Sequence, residues 1–219
     1  RNKGRIMALP SEKLITINDR GARVATTFGS LTSGGANMVF IKKLTASSSG
    51  TLSFVDGASS VVLDNTYKEY MFTFKDIHPS HGSAVDFTFQ ASTDTGSSYG
   101  VTSTSTWFTA YHLENGSDAA IEYNGASDNN QSTNFEILCD NLGNLDDACA
   151  GGFLHLFNPS STTFAKHFLS VTQYMGNDPN SLNPRKGGYF NTTSAIDAIQ
   201  FKMASGNIAT GDICLYGIL

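Results

Sequence analysis

Apolar side chains fall on alternate positions through most of the chain, the two-residue period of strands with one buried face. The pattern is clearest near the C-terminal end. Ile199, Phe201 and Met203 alternate in one run and Ile213 and Leu215 in the next, with a Gly-, Ser- and Asn-bearing stretch at 204–211 between them. That arrangement predicts two strands joined as a hairpin within one sheet. Tyr70, Phe72 and Phe74 alternate against Glu69, Met71, Thr73 and Lys75, and Val85, Phe87 and Phe89 repeat the pattern. Over 107–113, Trp107, Thr109 and Tyr111 share one face and Phe108, Ala110 and His112 the other. Phe153, His155 and Phe157 alternate over 152–157, and 164–174 reads as one long strand. Shorter strands are predicted at 38–46, 51–55 and 135–138, with an apolar island at 119–123. Asp56-Gly57, 94–98 and Asn158-Pro159 carry turn chemistry, and the Pro-, Gly- and Asn-rich stretch 177–188 reads as a loop.

No stretch has a sustained helical period. Short strands separated by turns predict an all-β fold, an antiparallel β-sandwich of jelly-roll-like type. Residues 1–37 differ from the rest. They mix short apolar runs with charge, end in the linker-like Gly29-Ser30-Leu31-Thr32-Ser33-Gly34-Gly35, and hold too little apolar material for a core. They are expected to form an extended N-terminal arm, with 38–219 as the sandwich. Within the arm, Leu14, Ile15 and Ile17 need burial somewhere, and with Arg20 and Arg23 they are the candidate assembly residues.

Composition narrows the reading. Charged residues make up only 15% of the 219, well below the usual quarter, so Ser, Thr, Asn and Gly must cover much of the surface. Such a profile belongs to assembly or surface-displayed β proteins more than to cytosolic enzymes. The net charge is −5 with no basic stripe, which argues against nucleic acid as a partner. No apolar run is long enough to span a membrane, and the first ten residues lack the apolar core of a signal peptide. Three cysteines are too few for a disulfide framework and are not spaced for zinc. Free thiols are the default; Cys139 and Cys149 flank an acidic loop, and their pairing stays open.

Candidate chemistry is sparse. His78 and His81 share a loop with Asp76 but lack a third ligand at fixed spacing, so a solvated loop is the better reading. Asp76, Asp86 and Asp94 offer oxygen ligands for calcium, yet no Asp-x-Asp-x-Asp loop is present and Asp94 reads as the cap of its own turn. His112, His155 and His167 lie in predicted strands and read as packed, hydrogen-bonded side chains. Asp128, Asp140, Asp146 and Asp147 form an acidic region. Paired carboxylates can hydrolyse glycosides at a set separation, but Asn- and Gly-rich loops hold that separation poorly. Neither a nucleophile elbow nor a phosphate-cradling loop exists. Trp107, Tyr111, Tyr123 and Tyr189 are candidate glycan contacts, with core or interface packing as the competing role. No catalytic residue, metal or cofactor is assigned.

Several blocks carry a resemblance. They are 41–44 through Asp64-Asn65-Thr66-Tyr67-Lys68-Glu69-Tyr70; Phe87-Thr88-Phe89-Gln90 with 93–99; His155-Leu156-Phe157-Asn158-Pro159; and 205–211 with Leu215-Tyr216-Gly217-Ile218. In this order, from Val39 to the end, they resemble a family of tailed-bacteriophage virion proteins common in marine phages. The resemblance implies a non-enzymatic structural component of the phage particle. Its expected partners are other virion proteins and further copies of itself, a trimer first; the alternative is an adhesin whose loops grip a host-surface glycan.

Overall fold

The structure, a computed structural model, describes residues 37–219. The arm residues Leu14, Ile15, Ile17, Arg20 and Arg23 lie outside the described residues. Twelve strands and, among the described residues, no helix make up the fold. In order they are β1 (Met38–Thr45), β2 (Leu52–Val55), β3 (Glu69–Pro79), β4 (Val85–Ser92), β5 (Ser103–Leu113), β6 (Ala119–Tyr123), β7 (Glu136–Leu142), β8 (Ala150–Phe157), β9 (Lys166–Met175), β10 (Asn180–Phe190), β11 (Ala198–Met203) and β12 (Ile208–Ile218). They form an eight-stranded sheet, β1-β12-β3-β8-β9-β10-β5-β6, and a four-stranded sheet, β2-β11-β4-β7, with every pairing antiparallel.

Eight of these strands form a jelly roll. The layer β1-β12-β3-β8 faces the layer β2-β11-β4-β7, and the chain crosses between layers from β1 to β2, β2 to β3, β3 to β4, β7 to β8 and β11 to β12. The other four strands, β9-β10-β5-β6, continue the larger sheet beyond β8; β9 and β10 still meet the smaller sheet, where Phe168 and Phe190 pack against Phe89.

Side-chain alternation locates the core between the layers. Tyr70, Phe72, Phe74, Val85, Phe87, Phe89, Ile199, Phe201, Met203, Ile213 and Leu215 all point inward, as their spacing predicts. The predicted C-terminal hairpin is corrected. β11 lies between β2 and β4 in one sheet, and β12 between β1 and β3 in the other. Their connection is a corner between layers, pinned where Ala204 N donates to Asp86 O at 2.9 Å and Asn207 N donates to Ser80 Oγ at 2.9 Å. With a partner on each side, both strands satisfy their backbone groups, which a two-stranded hairpin alone does not achieve.

The loop expected at 177–188 is also corrected: it is most of β10, a central strand paired to both β9 and β5. Pro184 has no N–H to donate. It pairs with Thr109 of β5, while the β9 ladder skips from Leu182 to Arg185. The Asn183 side chain fills the gap, donating from Nδ2 to Thr172 O at 2.8 Å.

Phe201 sits at the centre of the core. Its ring lies 5.3–6.3 Å from those of Phe54, Phe72, Phe74, Phe87 and Phe89, drawn from both layers. Edge-to-face and offset pairs at these separations add to the burial of large apolar areas. Phe201→Ala should cost about 3–5 kcal/mol, read as a drop in the urea midpoint, whereas Phe164→Ala, at a largely exposed ring, should change stability by no more than about 0.5 kcal/mol.

Candidate functional site

A concave feature lies on the outer face of the larger sheet, a cavity of about 580 Å³. Two cross-strand rows build it. One runs His155 (β8), Leu169 (β9), Gly187 (β10), Thr106 (β5), and the other Phe153, Val171, Arg185, Phe108 on the same strands. Glu69 of β3 and Phe157 of β8, direct partners in the ladder, close one end. The residues share a face because partners in an antiparallel ladder point to the same side.

His155 is held in place on three sides. Its ring lies 5.3 Å from that of Phe153, edge-on, and 6.1 Å from that of Phe157, stacked. Its Nδ1 is hydrogen-bonded to the Glu69 carboxylate; a carboxylate only accepts, so Nδ1 carries the proton. At the opposite end, the Arg185 guanidinium is exposed and makes neither an ion pair nor a hydrogen bond among the described residues. Its cross-strand neighbours, Val171 and Phe108, are both apolar. The cavity thus has apolar walls, an acid–imidazole pair at one end and an unpaired cation at the other.

Beneath Arg185 and Gly187, on the inner face, sits a buried polar cluster. Here, opposite the start of β7 at the edge of the smaller sheet, the inner face of β5 and β10 carries Ser103, Ser105 and Lys186, all buried. The Lys186 ammonium meets Glu136 Oε2 at 2.5 Å and donates to Ser127 O at 2.8 Å. Ser103 Oγ and Ser105 Oγ donate to the same carboxylate at 2.7 and 2.8 Å. Burial lowers the Lys186 pKa, and the Glu136 charge opposes that shift. The cluster ties β7, through Glu136, and the β6–β7 connection, through Ser127, to β5 and β10, and holds the strands beneath the cavity in register.

Of the candidate glycan contacts, Trp107 is corrected. It is 1% exposed, with the Lys186 ammonium 5.4 Å from its ring centroid, so it cannot stack on a sugar. It faces inward because strand alternation turns Phe108 outward instead. Tyr111 shares the inward face and donates its hydroxyl to Asp118 Oδ2 at 2.8 Å, a bond that pushes its pKa up to about 12. Tyr123 and Tyr189 do lie on the outer face. Tyr123 is partnered by Phe108 across the ladder and hydrogen-bonded to Asp128; Tyr189 lies opposite His167, its hydroxyl accepting from Gln131 Nε2 at 3.4 Å. None of the four lines the cavity.

The sequence reading missed Phe108, Glu69, Leu169, Arg185 and Gly187 as site residues, and it took His155 as a packed strand histidine. The alternation at 153–157 was the available signal, but Phe153, His155 and Phe157 against Leu154 and Leu156 does not say which face is buried.

The remaining candidates are dispersed. His78 Nδ1 bonds to Ala148 O at 2.7 Å, and His81 bonds within its own turn to Ser83. Asp140 packs beside Asp86 on the smaller sheet, where burial first and the neighbouring charge second raise its pKa. Asp146 and Asp147 lie exposed in the β7–β8 connection. Among the described residues no three His, Cys, Asp or Glu side chains gather to hold a metal ion, and Cys139, Cys149 and Cys214 are free. Asp94 caps its turn, accepting from Ser92 Oγ at 2.6 Å and from Ser98 N at 2.9 Å. In comparisons with known proteins, no family model, no curated protein and no solved structure matches the chain.

Two measurements check this description. Lys186→Met leaves Glu136 charged and alone, and should cost about 3–5 kcal/mol in urea unfolding. Adding Glu136→Leu should recover part of that loss, but not all, because Ser103 and Ser105 lose their acceptor. For Asp94, hydrogen bonds from Ser92 and Ser98 lower the pKa from 3.8 to about 2. A depressed carboxyl contributes stability above its unfolded pKa and loses it as pH falls through the folded value. The thermal midpoint should therefore fall between pH 3.8 and about 2, and Asp94→Asn should flatten the profile in that window.

Proposed function

We propose that the protein is a non-catalytic structural component of a bacteriophage particle, held in place by its neighbours. The observation that carries this reading is the state of the two edges of the larger sheet. At the β1 edge Phe40 is 57% exposed, and at the β6 edge Ile121 is 77% and Tyr123 65% exposed. Strand edges present unpaired backbone groups, and proteins that stay single blunt them with charge or bulges. Here Lys42 and Lys43 guard only the second half of β1, a register shift between Phe40 and Lys42 interrupts its ladder without covering Phe40, and Glu122 is the sole charge in β6. Two apolar edges on opposite sides of one sheet suit side-by-side pairing of copies, β1 of one against β6 of the next. Such a head-to-tail contact generates a ring, a trimer being a small closed case.

The jelly roll supports the reading by analogy, since virus capsids reuse this architecture. The resemblance over Val39 to the end points the same way. Residues 1–37 dock on adjacent virion proteins through Leu14, Ile15, Ile17, Arg20 and Arg23, and weak contacts repeated by symmetry add up to firm attachment.

The test compares wild-type chain with Phe40→Asp/Ile121→Asp and with a chain lacking residues 1–37, each supplied during phage growth and counted by mass spectrometry of purified particles. Wild-type chain should co-purify with particles. Both variants should keep their β circular dichroism, yet fall at least about tenfold in particle content as the repeated contacts are lost. Wild-type chain absent from purified particles, or variants incorporated normally, removes the reading.

A further inference from the structure

We infer that the cavity on the outer face of the larger sheet binds a carboxylate-bearing sugar, one uronic-acid-type pyranose residue at a time. The inference goes beyond the particle reading and stands on the cavity alone.

The first observation is Gly187. It occupies an interior position of β10, where a β-branched residue would pack better and cost less chain entropy. A Cβ added there would meet only Leu169 Cδ2, the end of a flexible side chain, at 3.2 Å. Its neighbour Gly188 contrasts with it. A Cβ there would lie 2.5 Å from Phe168 Cζ and 2.8 Å from both Ser105 Cβ and Thr104 O, so packing requires that glycine. Packing does not require Gly187. A strand glycine without a packing reason marks close approach of something to the backbone, and Gly187 forms the floor of the cavity.

The second observation is the placing of polar groups. The unpaired Arg185 guanidinium stands among apolar neighbours at one end and offers a planar fork that matches a carboxylate. Thr106 on β5 also lines the cavity, as the ladder partner of Gly187, with its Oγ1 donating to Gly187 O at 3.4 Å. Glu69 and the His155 imidazole stand at the other end. From β8 to β10 is two strand spacings, roughly 10 Å, the scale of one pyranose with its substituents. Between the ends, Phe108, Phe153 and Leu169 offer the apolar surface that fits the C–H face of a sugar ring. A fatty acid satisfies Arg185 but lays methylenes against Glu69, whose Oε1 is held by His155 while its Oε2 has no partner among the described residues, and desolvating that oxygen is costly. A hydroxylated ring places donors there. The volume, about 580 Å³, falls in the range of small-ligand sites with mostly apolar walls and a few convergent polar groups.

The experiment titrates the full chain with methyl β-glucuronoside, methyl β-glucoside and hexanoate, followed by NMR shifts of the Arg185, Gly187 and Leu169 amides. The glucuronoside should shift all three, with the glucoside at least about tenfold weaker for want of the charge-assisted contact to Arg185, and hexanoate at least about tenfold weaker for want of hydroxyls facing Glu69. Arg185→Met should lower glucuronoside affinity to that of the glucoside without moving the thermal midpoint. Gly187→Val should abolish binding in a chain that still unfolds cooperatively, its midpoint moving only as far as Leu169 must give way to the added Cβ. Equal binding of the two sugars, hexanoate as tight as the glucuronoside, no shift with any probe, or undiminished binding by Gly187→Val overturns the inference. The particle assay reads neither variant, so each proposal can fail without the other.

Discussion

The contact on which the rest of the structure depends is the meeting of Phe201 with five other phenylalanine rings between the layers. Phe201 belongs to β11, whose neighbours β2 and β4 supply Phe54, Phe87 and Phe89, while Phe72 and Phe74 come from β3 in the facing layer. The ring cluster therefore joins strands far apart in sequence and fixes the spacing of the two sheets. Once that spacing is set, the corners where the chain changes layer have only short distances to cover. The jelly roll follows from alternating residues that must find one shared interior.

The four added strands show what happens where that interior ends. Under the smaller sheet, β8 and β9 bury Leu154, Leu156 and Phe168. Further out, at the edge of the smaller sheet, the inner face turns to Ser103, Ser105 and Lys186, which meet Glu136 at the start of β7 and Ser127 of the β6–β7 connection. A buried ion pair of this kind is weak evidence for net stability. Its effect here is registration: one carboxylate accepts from two β5 hydroxyls and one β10 ammonium, so the two strands cannot slip without orphaning charge. The outer rows of the cavity inherit that register.

Much of this was legible in the residues. The all-β class, the inward set from Tyr70 to Leu215 and the Asp94 turn all followed from period and turn chemistry. The errors share a cause. The Pro- and Gly-bearing stretch of β10 reads locally as a loop, because the Asn183 side chain that replaces a lost ladder bond is recognisable only beside Thr172. Trp107 reads as the natural sugar platform because it is the largest aromatic, whereas Phe108, one residue on, faces out. In a strand with apolar residues on both faces, period alone cannot tell inside from outside.

By itself the sequence determined which side chains must share a face, where most strands lie, and that burial must come from two packed layers, because alternation and turn preference act over a few residues. Only the tertiary structure decided which strand lies beside which, which of two apolar faces meets solvent, and that Glu69, His155, Arg185 and Gly187 surround one cavity. Those outcomes rest on pairings between residues up to more than a hundred positions apart, such as Gln200 with Ser53. No local preference encodes them; they follow from the one arrangement that buries the phenylalanine cluster and leaves the backbone of both sheets paired.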